Sequence, residues 1–90
     1  MTTHVNSIFK FQPRWKELLV VNGFDGEFNL EYSMGIPTIY LPTEVVWLQN
    51  APEWAKNYYT ELKTELEIWC EQNDLPLVIE AKAWIEFNKS

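Results

Sequence analysis

The segment from residue 53 to residue 74, EWAKNYYTELKTELEIWCEQND, has the clearest hydrophobic period in the chain and most strongly limits its possible folds. Read as an α-helix, the segment collects its apolar side chains in one arc that is wide enough to cover a sheet. This predicted core arc consists of Ala55, Tyr58, Tyr59, Leu62, Leu66, Trp69 and Cys70. Asn50 and Glu53 have the spacing of a capping box, with Pro52 in the first turn, so we expect the helix to begin there and to end near Asn73.

Four other segments have the alternation or composition of β-strands. They are residues 4–12, 26–32, 38–41 and 77–87. We expect the third to be an edge strand, because Pro37 and Pro42 each remove a donor from the hydrogen-bond ladder, and the last to be one long strand. Residues 44–49 fit either a strand or a single helical turn.

Residues 13–22, PRWKELLVVN, fit two structures. Pro13 suits a first helical position and Gly23 suits a helix C-cap, so a short helix is the favoured prediction. In the alternative, the segment is a strand that a two-residue Asp25-Gly26 turn joins to the next strand. The helix completes a ferredoxin-like βαββαβ order, whereas the strand gives an antiparallel sheet of about four strands with one long amphipathic helix packed on it. Both are small α+β folds.

The length and composition predict one folded domain over residues 1–90. Hydrophobic residues make up 47% and aromatic residues 16% of the chain, which is too apolar for a disordered protein. Thirteen Asp and Glu against seven Lys and Arg give a formal charge of -6, so we expect no direct binding of nucleic acid. No apolar run reaches the roughly 18 residues of a membrane span, and the N-terminus lacks a secretory signal pattern, which predicts a cytoplasmic protein away from the membrane.

Residue types that carry catalysis or hold ligands are scarce. His4 is the only histidine, and Cys70, the only cysteine, lies on the predicted core arc, where a thiol is poorly reactive. The three glycines fit turns and form no phosphate-binding loop. Carboxylate pairs are the remaining enzymatic option, although such pairs are usually just exposed. These pairs are Glu27 with Glu31 and Glu61 with Glu65. We therefore expect a protein that is not an enzyme and has no cofactor or metal site.

A third stripe of the predicted helix lies between its core arc and its solvated face. Its members are Trp54, Glu61, Glu65, Ile68 and Gln72. Trp54 and Ile68 are costly on a merely solvated surface, and aromatic anchors beside carboxylates are typical of protein-binding sites. Trp84, on the polar face of the last predicted strand, joins this set. We predict that these six residues bind a partner and that changes at Trp54, Trp84, Glu61 and Glu65 leave the fold intact; in the alternative, a loop such as residues 43–50 covers the helix stripe.

These expectations favour a small, acidic, non-catalytic protein-interaction module. The leading hypothesis is an inhibitor of a larger protein that has a basic surface and handles nucleic acid. Compact acidic inhibitors from phage and mobile elements can occlude such a surface. A toxin-immunity protein would have the same features. Two other classes stay open: a self-associating structural subunit, for example a homodimer that buries Trp54, Ile68 or Trp84, and a small enzyme that uses carboxylates.

Overall fold

The computed structural model describes residues 7–14, 17–33 and 35–87, and six strands in this part of the chain form one sheet. The elements in chain order are β1 (Lys10–Arg14), β2 (Leu18–Gly23), β3 (Gly26–Ser33), β4 (Thr38–Leu41), α1 (Glu44–Asn50), a 3₁₀ helix (Glu53–Tyr58), α2 (Tyr59–Gln72), β5 (Leu77–Ile79) and β6 (Ile85–Glu86). The strand order is β1-β2-β3-β4-β5, with β6 paired to β3, and β4 with β5 is the one parallel pair among them. The predicted α+β class is confirmed, but the sheet has more than four strands and is mixed.

Residues 13–14 belong to β1 and residues 18–22 to β2, so the helix predicted there is wrong. Leu19 of β2 pairs with Leu30 of β3, and Val21 pairs with Phe28. Because side chains alternate across a strand, Leu19 and Val21 both reach the inner face, where they are fully buried. The described elements therefore do not follow the ferredoxin-like βαββαβ order.

The hairpin between β2 and β3 agrees with the alternative prediction, but its turn lies one residue earlier. Gly23 pairs with Gly26, so the two-residue loop is Phe24-Asp25 rather than Asp25-Gly26. Gly26 has a φ of 151°, which residues with a Cβ rarely adopt. A Cβ on Gly23 would overlap the indole ring of Trp54. The hairpin therefore needs glycine on both sides of its loop.

The structure also differs from the predictions for the first strand and for the expected edge strand. The strand predicted for residues 4–12 is β1, which begins at Lys10, and residues 4–6 lie outside the described part of the chain. β4 was expected at an edge but lies between β3 and β5. Pro37 and Pro42 stand just outside its four residues, so neither proline removes a donor from its ladder.

The segment 77–87 is not one long strand. β5 pairs in parallel with β4 and ends at Ile79, because β4 itself ends at the paired residue Leu41. A turn closed by the backbone hydrogen bond from Ala83 N–H to the Glu80 carbonyl, at 3.2 Å, then redirects the chain. β6 follows and pairs with β3 instead.

The long helix predicted from residue 53 is a 3₁₀ helix followed by α2, and it has no capping box. The Asn50 side-chain amide donates a hydrogen bond to the Val46 carbonyl within α1, at 3.0 Å, and its oxygen accepts none from the described N–H groups of the helix that follows. Pro52 precedes the 3₁₀ helix with an extended backbone and no side-chain cap. Residues 44–49, for which strand and helical turn were both open, belong to α1.

The described helices pack on one face of the sheet. The buried members of the predicted core arc are Ala55, Tyr59, Leu62, Leu66 and Cys70. They join strand residues that share this face, namely Leu19, Val21, Phe28, Leu30, Ile39 and Leu41. Two buried polar groups are satisfied in this layer: the Trp47 indole N–H donates to the Lys56 carbonyl at 3.0 Å, and the Tyr59 hydroxyl donates to the Pro42 carbonyl at 2.6 Å. The apolar face of α2 is therefore central to the core.

Shortening a core leucine of α2 should strongly destabilise the protein. Leu62→Ala or Leu66→Ala should lower the free energy of unfolding by about 2 to 5 kcal/mol, because each fully buried side chain leaves a cavity. Glu67→Ala, on the exposed side of the same helix, should change it by less than about 0.5 kcal/mol. Urea unfolding of the purified variants measures these differences, and equal losses at all three positions would contradict the packing.

Candidate protein-binding groove

Glu65 holds the segment before β1 against the side of α2. Its carboxylate accepts hydrogen bonds from the backbone N–H groups of Ile8, at 3.0 Å, and Phe9, at 2.9 Å. Successive N–H groups of a strand point to opposite sides, so two that share one carboxylate do not fit strand geometry. This contact explains why β1 begins only at Lys10.

A groove of about 400 Å³ lies between this segment and the C-terminal half of α2. Its wall is aromatic: the rings of Phe11 and Trp69 are 5.7 Å apart between centroids, and Phe9 lines the same groove. Ile68 also lines it and is 48% exposed, while Gln72 adds a polar group. A concave apolar surface with a few polar groups around it is typical of sites that accept a ligand or an anchoring side chain.

The groove brings together three of the six residues predicted to bind a partner. Glu65, Ile68 and Gln72 line it. Glu61 is exposed one turn before Glu65 on the same side of α2. Trp84 is 38% exposed just before β6 and does not line the groove, and the long strand whose polar face it was expected to share does not form.

Trp54, the remaining predicted site residue, is part of the folded core's margin rather than of an exposed stripe. It is half-buried, and its ring centroid lies 6.3 Å from Phe9, 5.1 Å from Phe24 and 6.1 Å from Phe28. The indole covers the β2–β3 hairpin where Gly23 has no side chain. The expectation that a change at this position leaves the fold intact therefore conflicts with its packing. The predicted covering loop, residues 43–50, does not supply these contacts.

The aromatic wall of the groove was not identified from the sequence. Phe9 and Phe11 alternate with polar residues, which indicates only the inner face of a strand, and Trp69 belongs to the predicted core arc. The wall forms because β1 is an edge strand that lies beside α2. No local pattern predicts this, since the hydrogen bonds of Glu65 to Ile8 and Phe9 join residues 57 and 56 positions apart.

The surface beside the groove is acidic: Lys10 lines the groove, but no ion pair joins it or another described cation to the glutamates of α2. α2 contains four glutamates and one lysine, and its last turn has no basic residue. The one ion pair in the described part of the chain joins Lys56 to Glu53, at 2.9 Å, away from α2. The carbonyl end of a helix carries partial negative charge, which adds to this field. The C-terminal half of α2 therefore attracts cations.

The groups with perturbed acidity lie in the core, away from the groove. Burial raises the pKa of the Cys70 thiol to about 11. Burial, and then the nearby Glu44 carboxylate, raise the pKa of Tyr59. The described residues include no group of three His, Cys, Asp or Glu side chains arranged to hold a metal ion, and His4 lies outside them. Within the same residues, no helix is long and apolar enough to cross a membrane.

The chain matches no family model, no curated protein and no solved structure. The groove and the charge around it are therefore the features from which a function is inferred.

Cys70 should react slowly with a soluble thiol reagent in the native protein and quickly in denaturant. The thiolate is the reactive form, and burial disfavours it, so the native rate should keep rising up to about pH 11, beyond the ordinary thiol pKa of 9.0. Labelling followed by mass measurement across this pH range checks the expectation. Fast native labelling near pH 8 would show that the thiol is accessible.

Trp54 and Trp84 should differ in their effect on stability. Trp54→Ala should lower the free energy of unfolding by about 3 kcal/mol, because it removes a ring that packs on three others. Trp84→Ala, a matched change at a more exposed tryptophan, should cost less than about 1 kcal/mol. Urea unfolding measures both variants. Similar small losses would mean that Trp54 belongs to a surface stripe after all.

Proposed function

We propose that this protein is a non-catalytic interaction module that binds a larger protein with a basic surface and thereby inhibits it. The observation that carries the proposal is an aromatic groove open beside a helix whose four glutamates form no ion pair with the described residues. In this proposal the partner is a cytoplasmic protein that handles nucleic acid, and occupation of its basic surface excludes the nucleic acid. The inhibitors of phage and mobile elements and toxin-immunity proteins act on targets of this kind.

The groove supplies the affinity in this proposal. Ile68 is nearly half exposed at its margin, and the Trp69 and Phe11 rings form its wall. An apolar or arginine side chain of the partner would lose water on entering, and an arginine would also lie against aromatic faces. Binding energy at protein interfaces is concentrated in such pockets rather than spread over the contact area.

The acidic surface supplies the choice of partner. The chain has a formal charge of -6, and α2 alone has three more acidic than basic residues, from four glutamates and one lysine. Such a surface speeds encounter with a positively charged protein and opposes encounter with negatively charged ones. Proteins that bind nucleic acid contact its phosphates with Lys and Arg side chains. Their binding surfaces are therefore positively charged and complement this acidic surface.

Self-association is a second candidate, because α1 exposes an apolar pair. Val45 is 67% exposed and Leu48 is 47% exposed, and at this spacing they share one side of the helix. A second copy could bury both. Against this, two copies would each bring a charge of -6 to the contact. The carboxylate enzyme has weaker support, since Glu27 is exposed and Glu31 is half-buried on a sheet face with no described helix over it.

Variants of the groove, compared with matched variants of α1, test the proposal. A partner captured from the native host would be purified and its binding measured by kinetic titration. Ile68→Asp should weaken binding at least tenfold, about 1.4 kcal/mol, chiefly through faster dissociation. Glu61→Lys should mainly slow association, more at low salt than at high salt. Val45→Asp and Glu44→Lys, which make the same changes on α1, should leave both rates within about twofold.

The opposite pattern would reject the proposal. If binding ignores Ile68→Asp and Glu61→Lys but weakens with Trp84→Ala or Glu31→Lys, the partner contacts the sheet side. If no partner is captured and sedimentation shows a dimer that Val45→Asp dissociates, the structural subunit is correct. Glu65 is not used in this test, because its loss would also release Ile8 and Phe9.

A further inference from the structure

The β1 edge of the sheet offers few backbone donors to a further strand. The Tyr32 N–H donates to the Glu17 carbonyl at 3.4 Å, so the backbone N–H and C=O groups of odd-numbered β2 residues point towards β3. Those of even-numbered β2 residues therefore point towards β1. β1 residues that pair with them are Lys10, Gln12 and Arg14. The alternate residues, Phe9, Phe11 and Pro13, therefore direct their backbone outward. Glu65 already accepts the N–H of Phe9, and proline has no N–H, so Phe11 alone can donate.

The β5 edge is open. The Ile39 N–H donates to the Pro76 carbonyl at 3.0 Å, and the Glu80 N–H donates to the Leu41 carbonyl at 3.0 Å. In a parallel pair with this register, Leu77 and Ile79 direct both their N–H and C=O groups away from β4. No described residue forms a hydrogen bond to these four groups.

The side chains at this edge are apolar, and its ends are acidic. Val78 is 37% exposed and Ile79 is 39% exposed, and they lie on opposite faces of the sheet. Asp74 precedes β5 and Glu80 follows it, and both are exposed. An occupant that complements the edge has β-branched or other apolar residues in its middle and Lys or Arg at its ends.

We propose that the β5 edge accepts an extended segment of a protein partner, which pairs with Leu77 and Ile79 as an additional strand of the sheet. This surface goes beyond the groove, since it involves neither α2 nor the aromatic wall. Backbone hydrogen bonds supply the affinity, and the apolar and basic side chains supply the selection. The occupant is a partner rather than a second copy, because each copy carries a charge of -6 and would bring Asp74 and Glu80 towards those of the other.

A short basic-ended peptide, Arg-Val-Ile-Val-Arg with blocked ends, is the probe for this edge. Titrated into the isotope-labelled full chain, it should shift the amide signals of Leu77 and Ile79 and slow their hydrogen exchange, while the amides of Phe11 and Ile68 stay unchanged. Two N-methylated forms of the peptide, blocked on alternate residues, provide the control. One form should bind as the parent does and the other should not, because only one set of N–H groups faces β5.

Variants of the chain make the test independent of the peptide chemistry. Ile79→Pro removes an outward N–H that has no bond to β4, and should weaken peptide binding about fivefold, whereas Ile79→Val should stay within about twofold. Asp74→Asn with Glu80→Gln should weaken it more at low salt than at high salt.

Three results would overturn the proposal: no shift at Leu77 and Ile79 up to the solubility limit of the peptide, equal binding of both methylated forms, or shifts centred on Ile68 and Phe11. Protection of Leu77 and Ile79 that depends on protein concentration without peptide would assign the edge to a second copy.

Discussion

The burial of one face of α2 against one face of the sheet is the interaction on which the rest of this structure depends. Leu62 and Leu66 are fully buried there, and at about 25 cal/mol per Å² such apolar burial is the main favourable term of folding. A satisfied polar group joins the other two helices in this layer, since the Trp47 indole N–H of α1 donates to the Lys56 carbonyl of the 3₁₀ helix. The opposite sheet face has no described helix over it, and it combines polar residues with the buried Val20.

Because the helices cover only one face of the sheet, the core has borders at the β2–β3 hairpin and at β1, and specific contacts close each border. At one margin Trp54 lies over the glycines of the β2–β3 hairpin, so an aromatic ring occupies the space that a side chain on Gly23 would take. At the β1 margin, Glu65 binds the chain before the strand, which both limits β1 and opens the groove beside Trp69. One carboxylate thus shapes the candidate binding site without having to touch a partner.

The two candidate surfaces would recognise a partner through different interactions. The groove combines aromatic area with an acidic surrounding, so its partner is selected by shape and by positive charge. The β5 edge offers backbone groups, which select for extended conformation more than for side chains. The sheet order places β1 and β5 at opposite ends, so one large partner, or two different ones, can occupy both. An excess of carboxylates favours basic segments at each.

The sequence by itself determined the features whose pattern repeats within a short window. These are the buried face of α2, the alternation of Phe28 and Leu30 in β3, and the placement of Cys70 in the core. Tertiary structure decided the strand at residues 18–23, the break after Ile79, the half-buried place of Trp54 and the groove itself. Each of these depends on a partner distant in sequence, and pairing and burial with such a partner outweigh local propensities that differ by only about 1 kcal/mol.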